Sequence, residues 1–211
     1  MAIFISRRRC SKLPTLLLAL FLLGGCTGLP GSAPTQFYIL KPAASLASAP
    51  DVRIGESVSV AIGPVQVPGY ADRSQIVTFD EGSAIEVHDL DHWAEPLSEA
   101  MRRVLASNVG ALLGAARVYP YPADFRPDKD AVQVAISVID VTQVADGRAK
   151  LALRWHVRAL YANEVIARFV KTYETPGVPG DLNSYANGLS RLLEEFSVDI
   201  AETLAGLDLA S

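Results

Sequence analysis

Residues 131–158 read AVQVAISVIDVTQVADGRAKLALRWHVR, and this stretch decides the fold. Apolar residues alternate with polar or small ones on both sides of Asp146-Gly147, as in strands that bury one face and leave the other in water. An Asp-Gly pair between two such runs is a strong hairpin signal. The stretch therefore predicts two long antiparallel strands joined at Asp146-Gly147, and a third strand, around Val165 to Phe169, extends the meander over residues 131–173.

The two faces of the predicted meander differ in chemistry. The buried face is assigned to Val132, Val134, Ile136, Val138, Leu151, Leu153, Trp155 and Val157. The opposite face of the second strand carries Ala152, Arg154, His156 and Arg158. We interpret this second face as a solvated one that long side chains cover, with a cationic groove as the alternative.

Shorter strands precede the meander in the chain. Residues 58–62 alternate in the same way and stop at Gly63-Pro64, which is typical of a strand that ends in a bulge or corner. Two apolar runs, 76–79 and 84–87, flank residues 80–83 and predict a hairpin with a four-residue loop.

Two segments have helical spacing instead. The first, residues 97–113, ends at Gly114, and the second, residues 185–204, follows Asp181 or Asn183 as its N-cap. Strands, a helix, more strands and a final helix predict an α+β domain. In this domain two amphipathic helices pack on one face of a mainly antiparallel sheet.

The chain begins with the pattern of a secretory signal peptide. Four cations and no acid precede an apolar run of 11 residues, Leu13 to Leu23. A bilayer-spanning helix needs ~20 apolar residues, so a retained transmembrane anchor is disfavoured. We predict that residues 1–25 are removed, that residues 26–52 form a lipidated N-terminus and flexible spacer, and that residues 53–211 form a single domain. Within the spacer, residues 37–40 are aromatic and β-branched and indicate an early strand at a sheet edge.

Leu23-Gly24-Gly25-Cys26 resembles a bacterial lipobox, in which the cysteine receives a diacylglycerol and an acyl chain and becomes the new N-terminus. The alternative is an ordinary signal peptide that ends at a chance cysteine. Cys10 leaves with the signal, so the mature chain has no second cysteine for a disulfide. Two or more acyl chains give stable anchoring. Thr27 follows the cysteine, and resemblance to the lipoprotein sorting rule then favours the outer membrane of a Gram-negative bacterium, with the body facing the periplasm.

Composition and charge exclude several classes of protein. Half of the 211 residues are hydrophobic, which is too many for a disordered chain. The net charge of −4 belongs to the precursor: without residues 1–25, 15 Lys+Arg face 23 Asp+Glu, a net charge of −8. An acidic chain lacks the cations that a broad electrostatic contact requires, which argues against nucleic acid and anionic lipid headgroups as partners bound in that way, and we predict no nucleic-acid partner.

Side chains for catalysis or cofactor binding are sparse in the sequence. It contains no G-x-S-x-G, G-x-x-x-x-G-K, H-E-x-x-H or C-x-x-C motif. We therefore predict that the protein is not an enzyme, that it has no catalytic residue and that it carries no cofactor beyond the lipid on Cys26. The stretch His88-Asp89-Leu90-Asp91-His92 has side chains of metal-ligand type. Our interpretation is that an aspartate caps the following helix and the histidines are loop residues, with a metal site as the alternative.

Three further stretches carry a resemblance to a known family: residues 66–77 (QVPGYADRSQIV), residues 93–97 (WAEPL) and Tyr38-Ile39-Leu40. Together with the lipobox they are similar to the motifs of the PqiC family, the ABC-type transport auxiliary lipoproteins. The resemblance covers nearly the whole mature chain. Gly69, Ala71 and Ser74 depart from the family's pattern in the first stretch.

The resemblance implies a non-enzymatic periplasmic subunit of an MCE-type intermembrane lipid transport system, which supports envelope integrity. The implied partners are an MCE-domain protein and an inner-membrane subunit, and a homo-oligomeric ring would match a symmetric partner. We assign partner contact to Tyr70, Asp72, Arg73 and Trp93, with support of their loop as the alternative. Two other functions stay open: a stand-alone periplasmic lipid carrier, and an activator of an envelope enzyme or a hydrolase that uses His88 or His92.

Overall fold

The computed structural model describes residues 33–44, 46, 52–79, 84–207 and 209. The signal peptide, Cys26 and the predicted hairpin loop 80–83 lie outside these residues. A compact unit runs from Thr35 to Ser211. Its elements in chain order are β1 (Gln36–Tyr38), β2 (Val60–Gln66), β3 (Gln75–Phe79), β4 (Ile85–Trp93), α1 (Leu97–Leu113), a 3-10 turn (Ala115–Arg117), β5 (Val118–Pro120), β6 (Val132–Gln143), β7 (Ala149–Ala159), β8 (Glu164–Thr175) and α2 (Leu182–Gly206).

The larger sheet has five strands in the order β5-β2-β6-β7-β8. β6, β7 and β8 form the predicted antiparallel meander, and β6 is joined to β7 through Asp146-Gly147. Gly147 has a φ of +88°, and a Cβ there would lie 2.4 Å from the Pro179 nitrogen. The turn therefore needs a glycine for its conformation and for its close contact with the segment before α2.

The smaller sheet has three strands in the order β1-β4-β3. β3 and β4 pair antiparallel, as the sequence predicts, whereas β1 pairs parallel to β4. β2 of the larger sheet likewise runs parallel to both of its neighbours, β5 and β6. The α+β class is confirmed, but the single, mainly antiparallel sheet is corrected to two sheets of mixed direction.

The physical reason for this correction lies in the long connections. A period of two reports which face of a strand is buried, and it is the same for parallel and antiparallel neighbours. The direction of β2 relative to β6 depends on the chain between them, which passes through β3, β4, α1 and β5 before it returns. Local alternation carries no information about that path.

Both predicted helices are present and build the core with the larger sheet. α1 lies against β2 and β5, α2 lies against β7 and β8, and the helices contact each other. The side chain of Asp181 accepts hydrogen bonds from the backbone nitrogens of Asn183 (2.9 Å) and Ser184 (3.1 Å), which identifies Asp181 as the N-cap of α2. Gly114, at a φ of 102°, ends α1 as predicted.

Aromatic side chains fill the space between α2 and the larger sheet. The rings of Trp155 and Phe169 stack with centroids 4.4 Å apart, and Phe196 of α2 contacts Trp155 edge-on at 5.6 Å. Tyr173 lies 5.8 Å from Phe196 on the other side. Full burial of a side chain of this size contributes about 1.5–3 kcal/mol, so these rings stabilise the contact between α2 and the larger sheet.

The N-terminal segment belongs to the compact unit from residue 35 onward. The expected early strand is present as β1, and Leu40 behind it is fully buried. The backbone nitrogen of Lys41 donates to Ser190 Oγ at 3.1 Å, and that of Ala43 donates to Asn108 Oδ1 at 2.9 Å. Part of the segment that the sequence assigns to a spacer is thus hydrogen-bonded to both helices.

A β-bulge interrupts β6 at Ile139. Val138 pairs with Leu153 and Asp140 with Ala152, so Ile139 has no partner and its side chain is exposed. The extra residue changes the inward-facing positions from even numbers up to Val138 to Val141 beyond it. The bulge positions Asp140 and the Val141 nitrogen to meet a side chain from another loop.

Candidate functional site

Three of the four residues predicted to contact a partner line one cleft. It has a volume of about 350 Å³ and lies between the loop that follows β2 and the segment that joins β4 to α1. We call it the Trp93 cleft, and its lining residues are Asp72, Arg73, Ser74, Trp93, Ala94, Glu95 and Pro96. Two of the three stretches that carry the family resemblance, residues 66–77 and 93–97, therefore meet in space.

The backbone around the cleft is held by hydrogen bonds between distant segments. The Trp93 nitrogen donates to Ser74 O at 2.7 Å, and the Ala94 nitrogen donates to Tyr38 O at 2.8 Å. The Trp93 side chain is only 6% exposed, and its ring centroid lies 6.1 Å from that of Tyr185 on α2. Trp93 thus anchors the cleft to the core and leaves its neighbours to form the surface.

Asp72 and Arg73 provide the exposed charges of the cleft. The backbone nitrogens of Ala71 (2.9 Å) and Asp72 (3.0 Å) both donate to Pro68 O, which forms the turn that presents the two side chains. Arg73 Nε reaches Gln75 Oε1 at 3.4 Å. In the described part of the chain Asp72 has no ion-pair partner, so both charges are free to meet an external group.

One charged pair at the cleft was missed by sequence reasoning. Glu95 Oε1 accepts hydrogen bonds from Arg103 Nε at 3.1 Å and Nη2 at 2.5 Å. Arg103 Nη2 also donates to Leu40 O at 2.9 Å. The pair connects α1, the rim of the cleft and the N-terminal segment. A spacing of eight residues between Glu95 and Arg103 gave no signal, because Glu95 lies before the helix begins.

Tyr70 is not part of the cleft. Its hydroxyl donates to Asp140 Oδ1 at 2.8 Å and accepts from the Val141 nitrogen at 3.1 Å. Its ring meets Phe79 edge-on, with centroids 5.3 Å apart. Burial and the bond to the Asp140 carboxylate raise the pKa of Tyr70 to about 12. Tyr70 therefore hydrogen-bonds the two groups at the β6 bulge, Asp140 and the Val141 nitrogen, and it fixes the loop that carries Asp72 and Arg73.

The histidine-rich stretch forms part of β4, so the interpretation as a loop with a helix-capping aspartate is wrong. Residues 85–93 are one strand, and the N-cap of α1 is Pro96. His88 Nε2 lies 2.9 Å from Thr78 Oγ1, and His92 Nε2 lies 3.0 Å from Asp89 O. Within the residues that the structure describes, no three His, Cys, Asp or Glu side chains converge as a metal site would require.

A second surface lies on the outer face of the larger sheet. Arg154 pairs with Val170 and His156 with Arg168 across β7 and β8, and with Ile139 they line a shallow groove of about 640 Å³. We call it the basic groove. Neither Arg154 nor Arg168 has a hydrogen-bond or ion-pair partner among residues 33–44, 46, 52–79, 84–207 and 209. Partial burial, together with the charges of Arg158 and Arg168, lowers the pKa of His156 below its usual value and so favours the neutral ring.

Comparison with known proteins places the fold and its family. Residues 38–201 match the family described as ABC-type transport auxiliary lipoprotein component. A search among proteins of curated function finds no match. One similar solved structure is an uncharacterized protein, with a TM-score of 0.63 and 16% identity, that covers 82% of this chain and 99% of that chain. Another is a Xanthomonas campestris protein of family DUF330, with a TM-score of 0.62, 17% identity and coverage of 82% and 95%. Among the described helices, none combines the length and apolar character needed to cross a bilayer.

Proposed function

This chain belongs to the family of ABC-type transport auxiliary lipoproteins, and from that premise we propose that it docks an MCE-type lipid transport assembly at the outer membrane. In this proposal the lipid on Cys26 anchors the chain, and the compact unit faces the periplasm. The partners are an MCE-domain protein and an inner-membrane subunit of the same system. The chain attaches the transport assembly to the outer membrane. It supports envelope integrity by keeping the path for lipid continuous between the two membranes.

The observation that carries this proposal is the connection between the Trp93 cleft and the N-terminal segment. The cleft is bonded to that segment twice, through Ala94 to Tyr38 and through Arg103 to Leu40. Gln36, where β1 begins, is ten residues after Cys26. A chain of that length spans at most about 36 Å when fully extended. A tether of that length on Cys26 would limit how far the compact unit can lie from the membrane, which suits a docking subunit that stays there.

The chemistry of the cleft suits contact with a protein. Free charges of both signs, Asp72 and Arg73, stand beside the ring of Pro96 and the methyl group of Ala94. Protein interfaces combine an apolar centre with a polar rim in this way, and arginine is enriched in them. We therefore assign the Trp93 cleft as the surface that the MCE-domain protein contacts.

The carrier alternative requires room for a lipid between the helices and the sheet. In the described residues that layer contains Trp155, Phe169, Tyr173 and Phe196 in ring-to-ring contact. Close-packed aromatic side chains leave a lipid tail no space without displacing them. The geometry consequently favours docking. Activation of an envelope enzyme would also need a protein contact, and the identity of the captured protein distinguishes it.

Photo-crosslinking in the lipidated chain tests the proposal. A photoreactive amino acid replaces Arg73 in the cleft or, as the control, Glu202 on the exposed side of α2. Irradiation of intact cells should attach an MCE-domain protein to position 73 and not to position 202. Capture of only unrelated proteins at position 73, or equal capture at both positions, would contradict the proposed docking surface.

A further inference from the structure

An exposed apolar patch lies on the outer face of the smaller sheet. Phe37 is 67% exposed, Ile39 48% and Leu90 42%, and we call these three residues the Phe37 patch. Phe37 is the register partner of His92 across β1 and β4, and their rings lie 5.8 Å apart. Leu90 lies two residues before His92 on β4, inside the irregularity that shifts the β3–β4 register between Ile76–His88 and Gln75–His92, and its side chain is exposed there. The three exposed apolar side chains therefore belong to β1, the residue that follows it and the adjoining part of β4.

The side chains on the opposite face of residues 37–40 are packed on the core, so exposure is confined to Phe37 and Ile39 in this segment. Tyr38 and Leu40 alternate with Phe37 and Ile39 and pack on the core, and Leu40 is fully buried. A strand that already buries one set of apolar side chains has no structural need for a second set in water. Exposed apolar residues that cluster in this way mark a surface that meets a partner or a membrane.

The position of the patch in the chain identifies the occupant. Phe37 follows Cys26 by 11 residues, so even a fully extended connection spans about 40 Å or less. β1 is also the first described strand after the anchor, whereas other exposed apolar residues such as Val170 lie on the far edge strand of the larger sheet. With the lipid on Cys26, β1 is the described strand with the shortest chain connection to the membrane, so its exposed face is the one best placed to reach the lipid headgroups.

We propose that the Phe37 patch rests on the phospholipid surface of the membrane in which Cys26 is anchored. This inference deepens the proposed function and depends on lipidation of Cys26. Phe, Ile and Leu gain free energy when their exposed area enters the headgroup and acyl boundary. Asp89 on the same strand is exposed and has no cation paired to it among the described residues. The contact is therefore apolar in origin and independent of anionic lipids.

The negative charge of Asp89 on β4 gives the proposed membrane contact of the Phe37 patch a distinct dependence on salt concentration. Binding through basic residues to anionic headgroups weakens as salt rises, because the charges are screened. Apolar insertion beside Asp89 should persist at high salt and in vesicles of zwitterionic phosphatidylcholine alone. This separates the Phe37 patch from any contact that the basic groove would make with anionic lipid.

A fluorescent probe at Ile39 tests the contact in the full lipidated chain. Because Cys26 is acylated, Ile39→Cys introduces the one free thiol of the mature chain, which keeps Phe37 and Leu90 in place. In phosphatidylcholine vesicles with a spin-labelled lipid, an environment-sensitive dye on this thiol should be quenched at low and at high salt. The same dye on Val170→Cys, 73% exposed on β8, should not be quenched.

The outcomes separate the patch from the anchor. If the chain sediments with vesicles but the dye at position 39 is quenched no more than at position 170, the Phe37 patch does not meet the membrane and this inference is overturned. If the chain does not sediment with vesicles, the anchoring on which both proposals depend is overturned. Quenching that disappears in high salt would assign the contact to charge and also overturn the apolar contact.

Removal of the patch provides a second test with a matched control. Phe37→Ser with Leu90→Ser should abolish the quenching at position 39 and leave the melting temperature unchanged, because both side chains are exposed. Ile166→Ser with Val178→Ser removes two side chains that are 40% and 56% exposed elsewhere, and it should leave the quenching intact. Equal loss in both double variants, or full quenching without Phe37 and Leu90, would overturn the assignment.

Discussion

At the residue scale, Tyr70 shows the loop support that the sequence offers as the alternative to partner contact. Its hydroxyl bridges the Asp140 carboxylate and the Val141 nitrogen. Since the bulge frees that nitrogen from the strand ladder, a buried donor would lack a partner without Tyr70.

Tyr70→Phe should therefore lower the free energy of unfolding by about 1–3 kcal/mol, the cost of leaving the buried Val141 nitrogen without an acceptor, whereas the Asp140 carboxylate keeps Lys150 Nζ at 3.5 Å. Urea denaturation at pH 7 measures the loss. Tyr161→Phe removes a hydroxyl from a side chain that is 68% exposed and should be neutral. A Tyr70→Phe variant as stable as the parent would show that water replaces the hydroxyl at no cost.

The raised pKa of Tyr70 adds a prediction on pH. A tyrosine with a pKa near 10 in the unfolded chain and about 12 in the folded one stabilises the fold below pH 10, and this contribution is lost as the pH rises to 12. Between these values the parent should lose stability more steeply than Tyr70→Phe. Denaturation of both chains at pH 9 and pH 11.5 measures the difference, and parallel losses would contradict the assignment.

Substitution of Arg73 should change binding of the partner and leave the stability of the fold unchanged. Its side chain is exposed, and its one described hydrogen bond is the 3.4 Å contact with Gln75. Arg73→Glu should reduce capture of the MCE-domain protein by about tenfold or more, since like charges across an interface cost several kcal/mol. Thermal stability should not change. Arg126→Glu makes the same change of charge at an exposed site away from the cleft and should leave capture intact.

At the element scale, the meander could be predicted from the sequence because its signals are local. Alternation and an Asp-Gly turn specify β6, β7 and their hairpin, and a capping aspartate specifies the start of α2. The β6 bulge left a weaker signal: Val138 and Val141 are three residues apart, which breaks the period of two. The parallel pairings of β1 and β2 left no signal in the sequence, because they depend on the path of the long connections between the paired strands. The Trp93 cleft likewise joins two stretches whose proximity only the fold supplies.

Asp181 allows the capping inference to be tested at this scale. Asp181→Ala removes the acceptor for the Asn183 and Ser184 nitrogens and should cost about 1 kcal/mol of unfolding free energy. Asp181→Asn keeps an acceptor oxygen and should cost much less. Chemical denaturation monitored by circular dichroism compares the three chains. Equal losses for the two variants would mean that the charge, and not the cap, is what stabilises the start of α2.

At the scale of the whole molecule, the described residues near the N-terminus extend the compact unit into the segment that the sequence assigns to a spacer. A spacer of residues 26–52 would let the domain move far from its membrane. The compact unit instead begins at Thr35, and both the Trp93 cleft and the Phe37 patch are built on β1 or bonded to it. The proposed docking and the proposed membrane contact consequently depend on the same short strand, so the attachment of this strand to the fold is a property to measure.

Two unlipidated chains that begin at different residues test this attachment. The chain 33–211 retains β1 and Leu40, whereas the chain 53–211 lacks them and leaves uncovered the apolar surface that Leu40 contacts. The shorter chain should melt at a clearly lower temperature. Leu40→Ala in the longer chain should account for a large part of the difference, because truncating a fully buried leucine costs about 2–5 kcal/mol. Equal melting temperatures for 33–211 and 53–211 would show that residues 35–52 contribute nothing to the fold. The Trp93 cleft would then not be tied to its anchor.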